Sequence, residues 1–374
     1  MKRKFLSMVL CLSMVATVAM GCGNSNGKTD APASTNDAAD AGDAADAGDA
    51  ADTGNAADAG DATDAGDTAD AGDAGDAGDT GSGEKLVVGF AQIGQESGWR
   101  DGETMSIQSY AEEHSDTIEL LYADGQQKQE NQIKAIKSFI EQDVDVIGLA
   151  PVVETGWDQV FAEAQDAGIP IILLDRTADV SEDLYATFIG SDFIEEGKNG
   201  ADEMAKLLNN SGKIVELEGT VGSSAAVDRK KGFDEQLAAA YPDIEILESQ
   251  TGDFTRALGK EVMESFLKTY DDIDGLFAHN DDMALGAIEA IKEAGLKPGE
   301  DIKIVSCDGV KGIFEAMVAG EANCTVECNP LLGPQFFEAA QKLKDGEEVE
   351  KWIKSNESVF TADQAEAELP NRVY

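Results

Sequence analysis

Several polar residues along the 374-residue chain are suited to holding a ligand rich in hydroxyl groups. A hydroxyl both donates and accepts, so a buried site for such a ligand needs carboxylates to accept, guanidinium groups to donate and amides to do both. Each of these groups follows a short apolar run, and together they comprise Asp175, Arg176, Arg229, Asn280 and Asp308. Aromatic rings could lie along the C–H faces of the same ligand, and the candidates are Phe90, Trp99 and Phe254.

The elements that must position these residues follow a regular alternation from Leu86 onward. Short β-branched runs alternate with stretches whose apolar residues recur every three or four positions, which predicts βαβ units and a mainly parallel sheet. The predicted strands are 86–91, 118–122, 144–150, 169–174, 213–218, 244–249, 275–278 and 302–307, and the predicted helices are 129–141, 157–167, 196–208, 228–240, 256–270 and 283–294. The fold class predicted from this alternation is α/β.

The ends of the predicted strands narrow the search for a site. In open parallel sheets, the loops that face a ligand follow the carboxyl ends of the strands. The loop predicted at 92–100 therefore adds Gln92, Glu96, Ser97 and Arg100 to the candidates. Taken singly, any of these residues could equally cap a helix or be solvated.

Long strings of the sequence resemble a known family. They include QESGWR at 95–100, ADGQQKQENQIKAIKS at 123–138, EGTVGSSAAVDRKKGF at 218–233 and AHNDDMALGAIEAIKEAGLKPG at 278–299. On these strings the chain resembles the periplasmic sugar-binding proteins of bacterial ABC importers, in particular their galactofuranose-binding members. The resemblance implies two Rossmann-like lobes with parallel sheets, joined by a three-segment hinge that closes on one monosaccharide.

The same resemblance implies a domain organisation and a set of partners. The first lobe is expected at 84–188 plus 330–355, and the second at 189–329 plus 356–374. The expected partners are the sugar and the permease subunits of an importer, and the protein is expected to be a monomer without a cofactor. The implied ligand contacts are Glu96, Ser97, Trp99, Arg100, Asp175, Arg176, Arg229, Asn280 and Asp308.

The N-terminal region has the features of an export signal and a tether. A basic start at Lys2 precedes an apolar run at 5–20, and the run is followed by Gly21 and Cys22. This pattern predicts a lipoprotein signal at 1–21, with Cys22 lipidated and the protein anchored on the outer face of the cytoplasmic membrane. Residues 22–83 have almost no large apolar side chains, so a disordered acidic tether is expected there.

Charge, histidine and cysteine content narrow the possible functions further. A formal charge of -46 repels phosphate backbones and argues against nucleic-acid binding. The only histidines, His114 and His279, are far apart, and no metal site is expected. Cys324 and Cys328 would lie roughly 13 Å apart on a strand, too far for a disulfide, so these two and Cys307 are predicted to be buried free thiols.

Three functions are alternatives to that of a sugar-binding protein of an importer. A glycosidase could use paired carboxylates drawn from Glu96, Asp175, Glu218 and Asp308, but the neighbouring arginines are expected to keep these groups ionised and leave no general acid. A sensory role, with a chemoreceptor or sensor kinase as partner, stays open because docking surfaces carry no motif. A sugar-responsive repressor is disfavoured, since the export signal is present and no basic helix-turn-helix is found.

Overall fold

The computed structural model describes residues 84–374. The predicted signal at 1–21, the lipidation site Cys22 and the tether at 22–83 lie outside the described residues. Between residues 84 and 374, no helix is both long enough and apolar enough to cross a membrane.

Twelve strands and ten α-helices alternate through the described part of the chain. The strands are β1 (Leu86–Gln92), β2 (Ile118–Asp124), β3 (Val146–Leu149), β4 (Ile171–Leu174), β5 (Thr187–Gly190), β6 (Gly212–Glu218), β7 (Ile244–Thr251), β8 (Gly275–Ala278), β9 (Lys303–Asp308), β10 (Cys324–Glu327), β11 (Trp352–Lys354) and β12 (Val359–Thr361). The helices are α1 (Gly98–Glu113), α2 (Gln129–Glu141), α3 (Asp158–Asp166), α4 (Phe193–Leu207), α5 (Ser224–Ala240), α6 (Arg256–Thr269), α7 (Asp281–Glu293), α8 (Lys311–Val318), α9 (Gly333–Lys344) and α10 (Ala362–Glu368).

The strands form two six-stranded sheets, one in each lobe. The first has the order β11-β5-β4-β3-β1-β2 and is parallel throughout. The second has the order β12-β10-β9-β8-β6-β7 and is parallel except where β12 joins β10. The predicted fold class, α/β with two lobes and parallel sheets, is therefore confirmed.

The chain crosses between the two lobes three times. The crossing segments are 191–192 after β5, 328–332 after β10 and 355–358 after β11. The predicted first boundary, between 188 and 189, is wrong because it cuts through β5, which pairs with β4 and β11 in the first sheet. This strand was missed because it is only four residues long.

The strands next to the site are buried on both faces. β3 and β4 read VIGL and IILL, and every residue in them is buried because helices cover both sides of a parallel sheet. Packing in the core fixes the positions of the carboxyl ends of these strands. The start of each following loop is therefore fixed by the core rather than by the sequence of the loop.

Helix starts differ most from the sequence prediction. The helices predicted to begin at 196, 228 and 283 begin instead just after the capping residues Asp192, Ser223 and Asn280. Each cap accepts a hydrogen bond from a backbone N–H of the first turn, so the helix starts before its first periodic apolar residue. The helix α1 was missed because its buried face includes polar side chains, among them Arg100 and Glu103.

Candidate ligand-binding site

A cavity of about 250 Å³ lies where the carboxyl ends of strands from both sheets meet. Its residues come from the loops and helix starts after β1, β4, β6, β7, β8, β9 and β10. The lining comprises Glu96, Ser97, Trp99, Arg100, Asp175, Arg176, Ala225, Arg229, Phe254, Asn280, Asp308 and Cys328. All but Ala225 and Cys328 were candidates from the sequence.

The first lobe contributes two buried arginines held by shared carboxylates. Glu96 Oε1 accepts from Arg176 Nη2 at 2.6 Å and from Arg100 Nη2 at 3.1 Å. Arg100 Nη2 also donates to Asp175 Oδ2 at 2.5 Å. Since the opposite charges alternate in space, each group fixes the position of the next. Arg176 Nε is buried and has no hydrogen-bond partner among residues 84–374.

Two residues predicted to touch the ligand lie behind the cavity instead. Phe90 is fully buried in the core of the first lobe, where its ring centroid is 5.8 Å from that of Phe336. Gln92 donates to Glu103 Oε2 at 3.0 Å, and that carboxylate in turn pairs with Arg100. Neither side chain lines the cavity, because both project from β1, which is buried on both faces.

The second lobe contributes one arginine at the centre of its half of the site. Arg229 Nε donates to Glu196 Oε2 at 2.6 Å, and its Nη1 donates to the backbone oxygen of His279 at 2.6 Å. Its Nη2 lies 3.4 Å from Asp308 Oδ1. Glu196 lies on α4 and was missed from the sequence because it does not follow a strand.

The two aromatic residues of the cavity are each stacked against a guanidinium group. Arg100 lies 4.7 Å from the ring centroid of Trp99, and Arg176 lies 5.1 Å from that of Phe254. The second pair joins the two lobes, because Arg176 follows β4 and Phe254 follows β7. Trp99 Nε1 donates to the backbone oxygen of Cys328 at 2.6 Å.

Two polar candidates combine a position in the cavity with a capping role. Ser97 is the N-cap of α1, and its hydroxyl accepts from Arg100 N at 3.2 Å. Asn280 is the N-cap of α7, accepting from Met283 N at 3.0 Å while its Nδ2 donates to the Phe254 backbone oxygen at 3.0 Å. Both residues therefore cap a helix, as the sequence allowed, and also line the cavity.

The backbone is strained at three lining residues. Asp175, Phe254 and Asp308 have φ values of 60°, 59° and 121°, in the region that favours glycine. Such conformations cost about 1–3 kcal/mol each and persist only where the surroundings enforce them. Asp281 supplies this support after Asp308, accepting from the backbone N–H groups of Gly309 at 2.7 Å and Val310 at 2.8 Å.

The lobes touch each other around the cavity. Gly98 N donates to Asp282 Oδ2 at 2.7 Å, and Thr177 N donates to Ser224 Oγ at 2.9 Å. Farther out, Glu154 N donates to the backbone oxygen of Gly222 at 2.9 Å. These bonds join residues of the first lobe to residues of the second, so the structure is closed over the site.

Burial and neighbouring charges oppose each other in the site. Burial alone would lower the pKa of Arg100, but Asp175, Glu103 and Glu96 raise it well above its usual value. Burial raises the pKa of Asp308 well above its usual range although Arg229 opposes the shift. For Asp308 this direction runs against the prediction that the arginines keep the nearby carboxylates ionised.

The three cysteines of the folded part occupy different environments. Burial of Cys307, Cys324 and Cys328 is confirmed, and all three are free thiols in the structure. Cys328 both lines the cavity and, with Glu196 and Glu357, forms a group of side chains that could hold a metal ion.

The chain has two α/β lobes with mainly parallel sheets, three segments that cross between them, and a polar cavity where the strand ends meet. These features define a class of two-lobed binding proteins. Residues 88–348 match the periplasmic binding protein domain, and the chain belongs to this family.

Individual relatives are similar over most of the folded part. The chain is 52% identical to the galactofuranose-binding protein YtfQ of Escherichia coli (strain K12) over 77% of its length and 91% of the relative. It is 48% identical to the periplasmic binding protein of the arabinose ABC transporter from Shewanella sp. ANA-3, bound to α- and β-L-arabinofuranose, with a TM-score of 0.74 over 77% of this chain and 95% of that one. A Mycobacterium smegmatis structure in complex with β-D-fucofuranose is 51% identical, with a TM-score of 0.74 over 76% and 94%.

Proposed function

We propose that this chain is the substrate-binding lipoprotein of an ABC-type sugar importer and binds galactofuranose, or a closely related furanose, between its lobes. The observation that carries the proposal is the cavity itself, in which three arginines, three carboxylates, an amide and two aromatic rings from both lobes converge. Relatives 48–52% identical over 76–77% of the chain are a galactofuranose-binding protein and two proteins solved with bound L-arabinofuranose or β-D-fucofuranose.

The chemistry of the cavity matches the needs of a sugar. Arg176 Nε provides a buried donor that no described residue uses, and such a donor is costly unless a ligand accepts from it. Asp175 accepts from Arg100 and lines the cavity with its carboxylate. Trp99 and Phe254 offer apolar surface to the C–H face of a sugar ring.

Binding proceeds by closure of the lobes in this proposal. The ligand bridges half-sites from both lobes and therefore favours the closed arrangement by its differential affinity for it. Closure removes water and strengthens each charge-assisted hydrogen bond. The interlobe bonds from Gly98 and Thr177 then help hold the closed form, which would dock on the permease subunits.

Calorimetric titration of the full-length protein tests the ligand. Galactofuranose and L-arabinofuranose are expected to bind with one site per chain, and galactopyranose and ribose much more weakly. Equal affinity for the pyranose would contradict the furanose assignment, and no binding of any of the four sugars would contradict the site.

The absence of catalysis is part of the proposal and has its own test. The protein is incubated with galactofuranosides, and the expected result is no release of sugar beyond one equivalent. Multiple turnovers would identify a glycosidase instead, with Asp308 as a candidate acid because burial raises its pKa.

Export and anchoring rest on the N-terminal sequence. We infer that 1–21 is removed, that Cys22 carries the lipid and that 22–83 separates the folded lobes from the membrane surface. Such a tether raises the concentration of the receptor near the permease. Metabolic labelling with a fatty-acid analogue should mark the wild-type chain but not Cys22→Ala, whereas label on the variant would exclude this anchor.

A further inference from the structure

The three segments that cross between the lobes meet at one buried group of side chains. This hinge cluster consists of Ser191 from the first crossing, Cys328 from the second, Glu357 from the third and Glu196 from the first turn of α4. Ser191 Oγ donates to Glu357 Oε1 and lies 3.3 Å from Cys328 Sγ. The backbone N–H of Asn329 also donates to Glu357 Oε1, at 3.1 Å.

Three potential metal ligands of the hinge cluster point at one another. One carboxylate oxygen from Glu196, one from Glu357 and the sulfur of Cys328 all lie within 4.8 Å of each other. In a tetrahedral zinc site, bonds of about 2.0–2.3 Å place the ligand atoms roughly 3.3–3.8 Å apart. The three atoms therefore need to approach by only about 1–1.5 Å to share an ion.

One carboxylate oxygen of the hinge cluster lacks a hydrogen-bond partner. Glu196 is 3% exposed, and its Oε2 accepts from Arg229. Its Oε1 is buried and has no hydrogen-bond partner among the residues that the structure describes. Buried polar atoms are normally satisfied, so this oxygen calls for a donor or an ion.

The local charge balance supports the same conclusion. Arg229 pairs with Glu196 and also faces Asp308, and among the described residues no salt bridge to Glu357 is formed. The two carboxylates of the cluster therefore lie close to a single guanidinium group, and an added cation would offset their remaining negative charge.

We propose that Glu196 Oε1, Cys328 Sγ and a carboxylate oxygen of Glu357 bind one zinc ion, with water or the Ser191 hydroxyl in the fourth position. A thiolate beside carboxylates favours zinc over magnesium or calcium, which prefer oxygen ligands alone. On binding, the S–H bond of Cys328 breaks, the sulfur donates its electron pair to the metal, and the proton passes to solvent. Any proton held by Glu357 leaves in the same way.

The proposed zinc site is reached from solvent and lies next to both the sugar cavity and the three crossing segments. A cavity of about 760 Å³, open to solvent, is lined by both Glu196 and Glu357. Cys328 also lines the sugar cavity, so an ion on its sulfur would lie beside the proposed ligand. It would also tie the three crossing segments together at one point. The inference goes beyond the proposed function, because sugar binding itself needs no metal.

Zinc titration of the full-length protein, freed of metal with a chelator, is the test. Competition with a chromophoric chelator should give one zinc per chain, and Cys328→Ser and Glu357→Gln should each weaken binding by at least about 100-fold. Cys324→Ser is the matched control, because this buried thiol lies on β10 outside the cluster and its loss should leave zinc affinity unchanged.

Cobalt(II) supplies a readout that does not depend on the stability of any variant. The wild type should show a thiolate-to-cobalt charge-transfer absorption, which requires a sulfur ligand. Wild-type protein that binds no stoichiometric zinc, or binds cobalt without this absorption, would overturn the proposal, as would wild-type affinity in a folded Cys328→Ser. Sugar titration of the metal-free protein is a separate measurement, so a failure here leaves the sugar assignment intact.

Discussion

The two lobes build their halves of the cavity in different ways. In the first lobe, Arg100 and Arg176 are held by carboxylates that themselves face the cavity, Glu96 and Asp175. In the second, Arg229 is held by Glu196 and by a backbone oxygen, and its approach to Asp308 is longer, at 3.4 Å. The first half is therefore organised mainly by charges within the site, with Glu103 behind Arg100, and the second by supports behind it.

The supports of the second half extend into the lobe. Asp281 accepts from Ser306 Oγ at 2.5 Å and Thr325 Oγ1 at 2.9 Å, besides the two backbone groups after Asp308. Glu216, deeper in the same lobe, pairs with His279 and Lys230. Changes in the first half are therefore expected to alter stability and sugar binding together. In the second half the two properties can be altered separately, because its supports lie outside the cavity.

The largest effect is expected from Arg100→Met. The substitution leaves Glu96, Glu103 and Asp175 without their shared cation, and breaking a buried pair costs about 3–5 kcal/mol. Denaturant unfolding of the variant should show a loss of that size. Arg256→Met is the control, because the Arg256 side chain is 52% exposed and its pair with Asp282 should contribute less than about 1 kcal/mol. Equal losses in the two variants would contradict the importance of the first-lobe charges.

Truncation of one cavity residue in each lobe should weaken sugar binding strongly. Arg176→Ala and Asp308→Ala are each expected to cost about 2–5 kcal/mol of affinity, because each strands a partner in a closed cavity. Calorimetric titration with galactofuranose measures the loss. Wild-type affinity in both variants would show that the sugar binds elsewhere.

The contribution of Glu216, a support behind the second half, should be measurable as a loss of stability at acid pH. Burial would raise the pKa of Glu216, but hydrogen bonding from His279 and the charge of Lys230 lower it to about 2. Because the folded pKa lies below the unfolded one, Glu216 stabilises the protein above pH 4.5, and this contribution is lost as the pH falls toward 2. The lost stability is about 3 kcal/mol.

The variant Glu216→Gln checks this assignment. Its free energy of unfolding at pH 7 should fall by an amount similar to the acid-dependent part, and its stability should change less between pH 4.5 and pH 2 than that of the wild type. An unchanged acid dependence in the variant would assign the effect to other carboxylates.

The smallest effect distinguishes the two acids that face the sugar. Asp175→Asn removes the negative charge that accepts from Arg100 and should cost about 2–3 kcal/mol of sugar affinity. Asp308→Asn resembles the protonated acid that burial favours, so it should cost less than about 1 kcal/mol. Titration of both variants at pH 7 is the measurement, and a larger loss for Asp308→Asn would reverse the proposed contrast.

Position after a strand was a good guide to the cavity because parallel strands bring their carboxyl ends to one edge. Arg176 and Asn280 could be predicted in this way although they lie far apart in the chain. The same rule failed for Gln92, because it cannot tell where a strand ends or which face a side chain takes. It also missed Glu196 and Asp281, whose roles depend on the helices that pack against the strand ends.

The sequence by itself determined the alternation of strands and helices, the two-lobed α/β class and most of the side-chain types in the cavity. The alternation, the α/β class and the side-chain types follow from apolar periodicity and from the polarity of the residues after each strand, which are local properties. The two lobes were implied by the resemblance to the sugar-binding family. Only the tertiary structure decided which charges pair, which carboxylates are raised in pKa, and that Glu196, Cys328 and Glu357 meet at the hinge. Those outcomes depend on distances and burial between segments remote in the chain, and no local pattern of residues encodes them.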